Sequence, residues 1–184
     1  PSEWMAAFLD KEPESRKEKA INIAKSYGFN IEKADINVSG DVWEIDPNDS
    51  MTLVQPLSSL KGLGDAAIEQ VINNRPFETV EDAIFHPDVV YSKLNKKALD
   101  VLVRSGAMDG LIDDRFTGRK HFWSAVAVDR PKNKKKFNEN IETYNPEGNF
   151  SHEEEIENTV SLTGIFPMEL VVDHKIQARL DELY

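Results

Sequence analysis

Two glycines that flank a single leucine constrain the fold of this chain more than any other feature. Residues 60–68 read LKGLGDAAI, and Val71 and Ile72 continue the apolar positions at helical spacing. Glycine lacks a Cβ and takes up the left-handed conformations that tight turns require. The chain can therefore turn sharply here while Leu63 points into the core. The sequence predicts a short turn that leads directly into a helix.

The same turn leaves backbone amides free at the start of a helix. Four N–H groups are expected to point outward there, those of Gly62, Gly64, Asp65 and Ala66. The helix dipole favours an anion at this end, and a DNA phosphate fits the geometry. An ordinary glycine-containing turn between two helices is the alternative. A metabolite phosphate is disfavoured, because no strand feeds the turn directly and the Lys-Ser/Thr pair of a P-loop is missing.

A second helix and turn follow downstream. Residues 94–104 have a helical pattern, and residues 105–109 (SGAMD) supply another glycine turn. The pair predicts a tandem helix-hairpin-helix module that holds both strands of a duplex across the minor groove. Contacts of this kind reach phosphates, which position a protein but carry little sequence information. The candidate DNA-binding residues are Lys61, Gly62, Leu63, Gly64, Asp65, Ala66, Lys96, Lys97, Arg104, Gly106, Ala107, Arg115 and Arg119.

The charge distribution supports this interpretation although the total charge does not. The formal net charge is −11, whereas phosphate binding rests on clustered lysine and arginine. Residues 57–136 carry 14 basic and 11 acidic side chains, residues 1–56 carry 6 and 11, and residues 137–184 carry 2 and 11. Because the Debye length is only about 8 Å at physiological salt, a local basic face can bind DNA within an acidic chain.

Hydrophobic periodicity predicts a mainly α-helical fold with a small β element. Residues 129–152 have the Pro, Asn, Gly and Lys content of a mobile linker. The expected helices cover 3–9, 14–27, 65–74, 80–85, 95–105, 114–127 and 168–183, and two or three short strands are expected within 29–36, 42–45 and 51–54. The acidic run 153–157 is interpreted as the solvent-exposed start of a further helix.

Several classes of protein and site are excluded by composition. The chain has no cysteine, and its four histidines are scattered, so we expect no disulfide framework, no metal site and no cofactor. No apolar run is long enough to span a membrane, and no basic start precedes an apolar segment. The sequence therefore predicts a cytoplasmic protein with no membrane partner.

Taken together, these segments resemble the C-family replicative DNA polymerases, the alpha subunit of bacterial DNA polymerase III. The resemblance is carried by LSSLKGLGDAAIEQVINNRPFETVEDAI (57–84) and LNKKALDVLVRSGAMDGL (94–111). The flanks follow the family's order: PSEWMAAFLDKE (1–12) is similar to the end of its fingers domain, and SLTGIFP (161–167) is similar to the segment before its OB domain.

The resemblance implies a division of the chain and a role for it. Residues 1–56 would be the end of a fingers-like domain, residues 57–130 the tandem helix-hairpin-helix domain, and residues 131–184 a linker and terminal helix before an OB-like domain. The implied partners are double-stranded DNA, the rest of a polymerase and a sliding clamp. The chain departs from the family in having Gly164-Ile165-Phe166-Pro167 in place of glycine-histidine-proline, and no glutamine-led clamp-binding peptide.

The polymerase's catalytic palm carboxylates would lie upstream of Pro1, so no catalytic residue is assigned and no nucleotidyltransferase activity is expected from the chain alone. Asp35 and Asp41 lie in a turn-rich segment and are not assigned to metal. The alternative function is that of a free-standing, phage-encoded adaptor or regulatory protein that uses the same hairpins. An enzyme in its own right is the weakest of the three interpretations, because no nucleophile and base are paired.

Overall fold

The computed structural model describes residues 1–143 and 147–183. Its N-terminal part contains two helices, with a 3-10 turn at Glu14–Arg16 between them, and a small sheet. The elements are α1 (Ser2–Lys11), α2 (Lys17–Ser26), β1 (Asn30–Glu32), β2 (Glu44–Asp46) and β3 (Asp49–Val54). The order in the sheet is β1-β3-β2, with β1 parallel and β2 antiparallel to β3. The sequence placed all five elements.

A small core forms where the two helices cover this sheet. Leu53 of the central strand is fully buried and pairs with Ile31 on one side and Ile45 on the other. Apolar positions of α1 and α2, spaced for one helical face, pack against it together with Trp43. This cluster holds Met5, Ala6, Leu9, Ala20, Ile21, Ala24, Phe29, Trp43 and Leu53.

The central part is helical and encloses the larger core. A 3-10 turn at Leu57–Ser59 leads into it, and π-helical residues Ser124–Val128 end it. Its helices are α3 (Asp65–Asn74), α4 (Val80–Ile84), α5 (Lys96–Arg104) and α6 (Arg119–Trp123), with a 3-10 turn at Asp109–Leu111. The mainly α-helical fold with a small β element is confirmed.

Local sequence explains where these helices start. Thr79 and Asp82 form a reciprocal capping box at α4. The side chain of Asn95 accepts a hydrogen bond from the Ala98 amide at the start of α5, at 3.0 Å. Apolar residues on the inner face of α5, among them the fully buried Leu99 and Leu102, then anchor this helix in the core.

The larger core also includes residues from the segment after β1. Ala34 and Ile36 are buried within it, and the Ile36 amide donates to the Ala107 carbonyl at 2.8 Å. The helical core therefore takes in residues on the N-terminal side of position 56. The division into 1–56, 57–130 and 131–184 stays a prediction.

The region that composition assigned to a mobile linker contains one helix instead, and a second helix begins at its last residue. They are α7 (Lys134–Thr143) and α8 (His152–Thr163). Phe137 of α7 and Leu162 of α8 are buried in the larger core, so both helices are fixed by packing. The mobile linker predicted over 129–152 is therefore wrong for the residues that the structure describes. Residues 144–146 lie outside the described part of the chain.

Local sequence explains where α8 begins and where it ends. Ser151 and Glu154 form a capping box at the start of α8, and Gly164 ends the same helix with a φ of 72°, in the left-handed region. The last helix, α9 (Met168–Leu183), has the predicted bounds. Within the described residues, none of the helices has the length and apolar character needed to cross a membrane.

Candidate nucleic-acid interface

The first hairpin, defined as residues 60–66, is a tight turn that depends on glycine. Gly62 has a φ of +88°, and the Leu63 amide donates to the Leu60 carbonyl at 3.3 Å. This is the pattern of a type II turn, which requires a positive φ at its third residue. A Cβ on Gly62 would lie 3.4 Å from the Cγ2 atom of Val101. The first hairpin is therefore seated directly on the middle of α5.

The outer side of this turn is open at the start of α3. Leu63 is 8% exposed and packs inward, as the sequence predicted. Gly62, Gly64, Asp65 and Ala66 are all exposed. Gly64 is the N-cap residue of α3, has extended backbone angles, and has no side chain with which to cap the helix. The first turn of a ten-residue helix thus presents backbone N–H groups to an incoming anion.

The space beside Gly64 is empty. A Cβ built on this glycine meets no atom of the described residues within 4 Å, and the φ of −81° suits any residue. Gly62 and Gly64 therefore have different roles. Gly62 is required by the backbone conformation, whereas Gly64 leaves room in front of the amides.

The second hairpin, residues 105–109, has a different structure. Gly106 has a φ of +85°, but Gly106 and Ala107 are buried. The Gly106 amide donates to Val103 at 3.1 Å and the Met108 amide donates to Leu102 at 3.3 Å, which closes the end of α5. The amides expected to be open at this turn are therefore used within the protein. A role for Gly106 and Ala107 in DNA binding stays a prediction.

The three candidate arginines are all paired with side chains of the protein. Arg104 donates to Asp100 at 3.1 Å through Nε and to the Asn158 side-chain oxygen at 2.8 Å through Nη1. Arg119 donates to Asp109 at 2.9 Å through Nε, and also pairs with Glu155.

Arg115, the third of them, contacts both carboxylates and aromatic rings. It pairs with Glu81 at 2.7 Å and with Asp113 at 2.8 Å, and its guanidinium lies over the rings of Phe116 and Phe137. The hydrogen bonds that Arg115 donates to Asp113 and Glu81 raise the pKa of its guanidinium further above its usual range. These arginines stabilise the fold in the structure, and each would have to exchange a protein carboxylate for a phosphate in order to bind DNA.

The three candidate lysines, Lys61, Lys96 and Lys97, are in a different state and are called the open lysines below. All are exposed, and none forms an ion pair with another residue in the described part of the chain. Lys61 belongs to the first hairpin itself. Lys97 lies one helical turn before Val101, on the side of α5 that contacts Gly62. Lys61 and Lys97 thus lie at the first hairpin with charges that are available to phosphate.

Asp109 lies at the centre of the network around the second hairpin. It accepts hydrogen bonds from Arg119 and from Lys33, which follows β1. Burial opposes its ionisation, but the hydrogen bonds from Arg119 and Lys33 outweigh burial and hold the pKa of Asp109 below its usual range. The carboxylate therefore stays charged and connects the N-terminal segment to the helical part.

An acidic helix lies beside both hairpins. Near its start, Glu155 of α8 pairs with Arg119, and Glu154 pairs with Lys120 at 3.3 Å. At its end, the Leu162 carbonyl accepts a hydrogen bond from the Lys61 amide at 2.7 Å. The negative charge of the C-terminal segment is thus partly used to neutralise cations near the second hairpin.

Sequence reasoning missed Lys33 and Glu155 as members of this region. Lys33 and Glu155 are distant in sequence from their partners, and no local pattern reports such pairs. The capping box of Ser151 and Glu154, readable as S-x-x-E, agrees with the helix start that the acidic run 153–157 indicated. Within residues 1–143 and 147–183, no three His, Asp or Glu side chains are grouped so as to hold a metal ion.

Comparisons with known proteins agree with this geometry. Residues 28–118 match the family model described as helix-hairpin-helix motif. The chain is 30% identical over 136 residues to DNA polymerase III subunit alpha of Pseudomonas aeruginosa and 31% identical over 118 residues to that of Escherichia coli K12. It is 24% identical over 119 residues to the same subunit of Xylella fastidiosa.

These alignments cover much of the chain but little of the relatives. The alignment with the Pseudomonas aeruginosa subunit includes 71% of this chain and 11% of that relative. The alignment with the Escherichia coli subunit includes 60% and 10%, and the alignment with the Xylella fastidiosa subunit includes 62% and 10%. The chain thus spans about a tenth of the length of the polymerase subunits that it matches. The region that matches includes both hairpins and the strands before them. The centre of this chain therefore matches a helix-hairpin-helix segment and is similar to part of the DNA polymerase III alpha subunits.

Proposed function

We propose that this protein binds the phosphate backbone of double-stranded DNA, without sequence preference, as part of a replicative polymerase of the DNA polymerase III alpha type. The first hairpin makes the central contact through the amides of Gly64, Asp65 and Ala66. The open lysines add charge on either side. The second hairpin, through Arg104, Arg115 and Arg119, joins only where a phosphate displaces a carboxylate.

The observation that carries this proposal is the exposed glycine turn at the uncapped start of α3. An anion there gains both hydrogen bonds from N–H groups and the favourable end of the helix dipole. Amides read phosphates and not bases, so the contact is insensitive to sequence. The exposure of Gly64 and the empty space beside it leave room for a phosphate to approach.

The role in replication rests on similarity to the polymerase subunits. In such a role the protein holds the product–template duplex behind an active site that lies elsewhere in the polymerase. The rest of the polymerase and a sliding clamp are the protein partners proposed, and the location proposed is the cytoplasm. Residues 1–56 then act as the end of a fingers-like domain and residues 131–184 lead toward an OB-like domain.

The test is a Gly64→Val substitution. The valine side chain fits the backbone without strain and fills the space in front of the amides. Hydrogen bonds to a charged group contribute about 1.5–3 kcal/mol each, so affinity for duplex should fall about tenfold or more. Fluorescence anisotropy with a labelled duplex measures this loss.

The matched control is Gly110→Val. Gly110 is also exposed, and a Cβ on it also meets no described atom within 4 Å, but it lies outside the first hairpin. We expect this variant to bind duplex as the parent does. If Gly64→Val retains the parent affinity while both variants keep the helical circular dichroism spectrum, the first hairpin is not the DNA-binding site.

A further inference from the structure

A groove lies between the start of α5 and the end of the helix that begins with α6. We call it the Trp123 groove, and its volume is about 590 Å³. That is within the range of about 300–1,000 Å³ that small-ligand sites occupy. The lining residues are Asn95, Lys96, Lys97, Asp100, Trp123, Ala127 and Val128.

One wall of the groove is apolar and has an aromatic ring in a fixed position. The Trp123 indole N–H donates to Asp100 Oδ1 at 2.7 Å, and the ring contacts Phe150 with a centroid separation of 5.5 Å. Trp123 is nevertheless only half-buried. The hydrogen bond satisfies the polar edge of the indole, so its remaining exposed surface is available to another flat apolar group.

The backbone of this wall is irregular. Residues Ser124–Val128 form a π-helix directly after α6, a geometry that is rare and often found at functional sites. Ala127 and Val128 from this segment line the groove beside Trp123. The small side chain of Ala127 leaves the groove open next to the indole.

The side of the groove formed by the start of α5 carries two lysines that have no ion pair among the described residues, and Asp100, whose carboxylate is paired with Arg104. Lys96 and Lys97 are exposed and form no ion pair within the described part of the chain. Asn95 is already engaged, because its side chain caps α5. The groove therefore combines a fixed aromatic ring with two free ammonium groups, which are the two elements of a single-strand binding site: a stacking surface and a contact to phosphate.

We propose that the Trp123 groove binds one nucleotide of single-stranded DNA, with the base against the Trp123 indole and the adjacent phosphates against Lys96 and Lys97. The position of the groove favours this occupant over an acidic peptide. Lys97 lies about 6 Å along α5 from Val101, and Val101 contacts the first hairpin. Lys97 of the groove is therefore close to the first hairpin, where the proposed function places the duplex. The inference extends the proposed function but does not need the amides of α3.

The experiment uses the full chain with Trp4→Phe and Trp43→Phe, so that Trp123 is the single indole. Titration with an oligothymidylate should quench the Trp123 fluorescence in a saturable manner. Removing one stacked base should weaken binding about five- to 150-fold. We expect this loss in Trp123→Leu, measured with a labelled oligonucleotide and the native tryptophans at positions 4 and 43.

The charged wall is tested with a matched pair of double variants. Lys96→Ala/Lys97→Ala should weaken oligonucleotide binding about tenfold or more, because two phosphate contacts are lost. Lys134→Ala/Lys135→Ala removes two exposed lysines on α7 that also have no ion pair among the described residues, and should leave the affinity unchanged. Equal losses in both pairs would mean diffuse electrostatic attraction and would overturn the groove as a site.

The duplex and single-strand sites are separated by Gly64→Val. If both proposals hold, this variant loses duplex binding and keeps the saturable quenching of Trp123 by oligothymidylate. If the Gly64→Val protein binds duplex as tightly as the parent does, the proposed function is refuted and the groove proposal is not affected. If the oligonucleotide does not quench the Trp123 fluorescence, the groove proposal is refuted and the proposed function is not affected. Quenching that appears only with an acidic peptide has the same meaning.

Discussion

The three open lysines set how strongly duplex binding should depend on salt. Each phosphate neutralised on B-DNA contributes about −0.9 to the slope of log K against log salt, so Lys61, Lys96 and Lys97 together predict a slope of about −2.7. From 50 to 200 mM salt this slope corresponds to roughly 40-fold weaker binding.

A steeper salt dependence is expected if the three paired arginines also bind phosphates. If Arg104, Arg115 and Arg119 all exchanged their carboxylates for phosphates, six neutralised charges would give a slope of about −5.4, or a loss of roughly 1,800-fold over the same range. Because the structure pairs all three of these arginines, we expect the lower value. The slope therefore reports whether the second hairpin takes part in binding.

Fluorescence anisotropy with a labelled duplex at several salt concentrations measures the slope. Lys97→Ala should make it shallower by about 0.9, whereas Lys134→Ala on α7 should leave it unchanged. A slope near zero would refute phosphate binding itself. A slope that Lys97→Ala does not alter would refute the assignment of this lysine, and a slope near −5 would show that the second hairpin binds DNA as well.

Two further predictions concern the structure that supports the site. Phe137→Ala should destabilise the protein by about 3–5 kcal/mol in urea unfolding, because this side chain is 1% exposed in the larger core; a loss below 1 kcal/mol would instead favour a mobile linker. Asp109 has a lower pKa folded than unfolded, so its contribution to stability is present above about pH 4 and is lost as the pH falls through the lowered value. Asp109→Asn should make the unfolding midpoint less dependent on pH in that acidic range, and an unchanged dependence would contradict the assignment.

The first hairpin was predictable because its determinants are local. Gly62 fixes the turn, Leu63 fixes its orientation, and the helix that follows has the predicted bounds, Asp65–Asn74. The terminal helix was placed equally well. In each case the information lies within a few residues.

The second hairpin looked equivalent in sequence, and the difference arises from distant contacts. Ile36 donates to the Ala107 carbonyl, and Lys33 and Arg119 surround Asp109. None of these partners is close to the hairpin in sequence. Local composition thus located the glycine turn at Gly106 correctly but gave no indication that its amides are buried.

The linker was mispredicted for a related reason. Lysine and asparagine dominate the start of α7 and suggested a solvated segment, but Phe137 packs this helix against Phe85 and Phe116. The arginines of the basic middle segment were likewise counted as free charges. Their carboxylate partners, such as Glu155 for Arg119, become neighbours only in the folded chain.

The most direct test of the account is an amide chemical-shift titration of the ¹⁵N-labelled protein with a short duplex. At low ratios of DNA to protein, the largest changes should occur at the amides of Gly64, Asp65 and Ala66, with smaller changes at Lys61 and Lys97. The buried amides of Gly106 and Ala107 should remain near their starting positions. Changes confined to the second hairpin, or the absence of any change at Gly64 to Ala66 under conditions where the duplex is bound, would contradict the central claim.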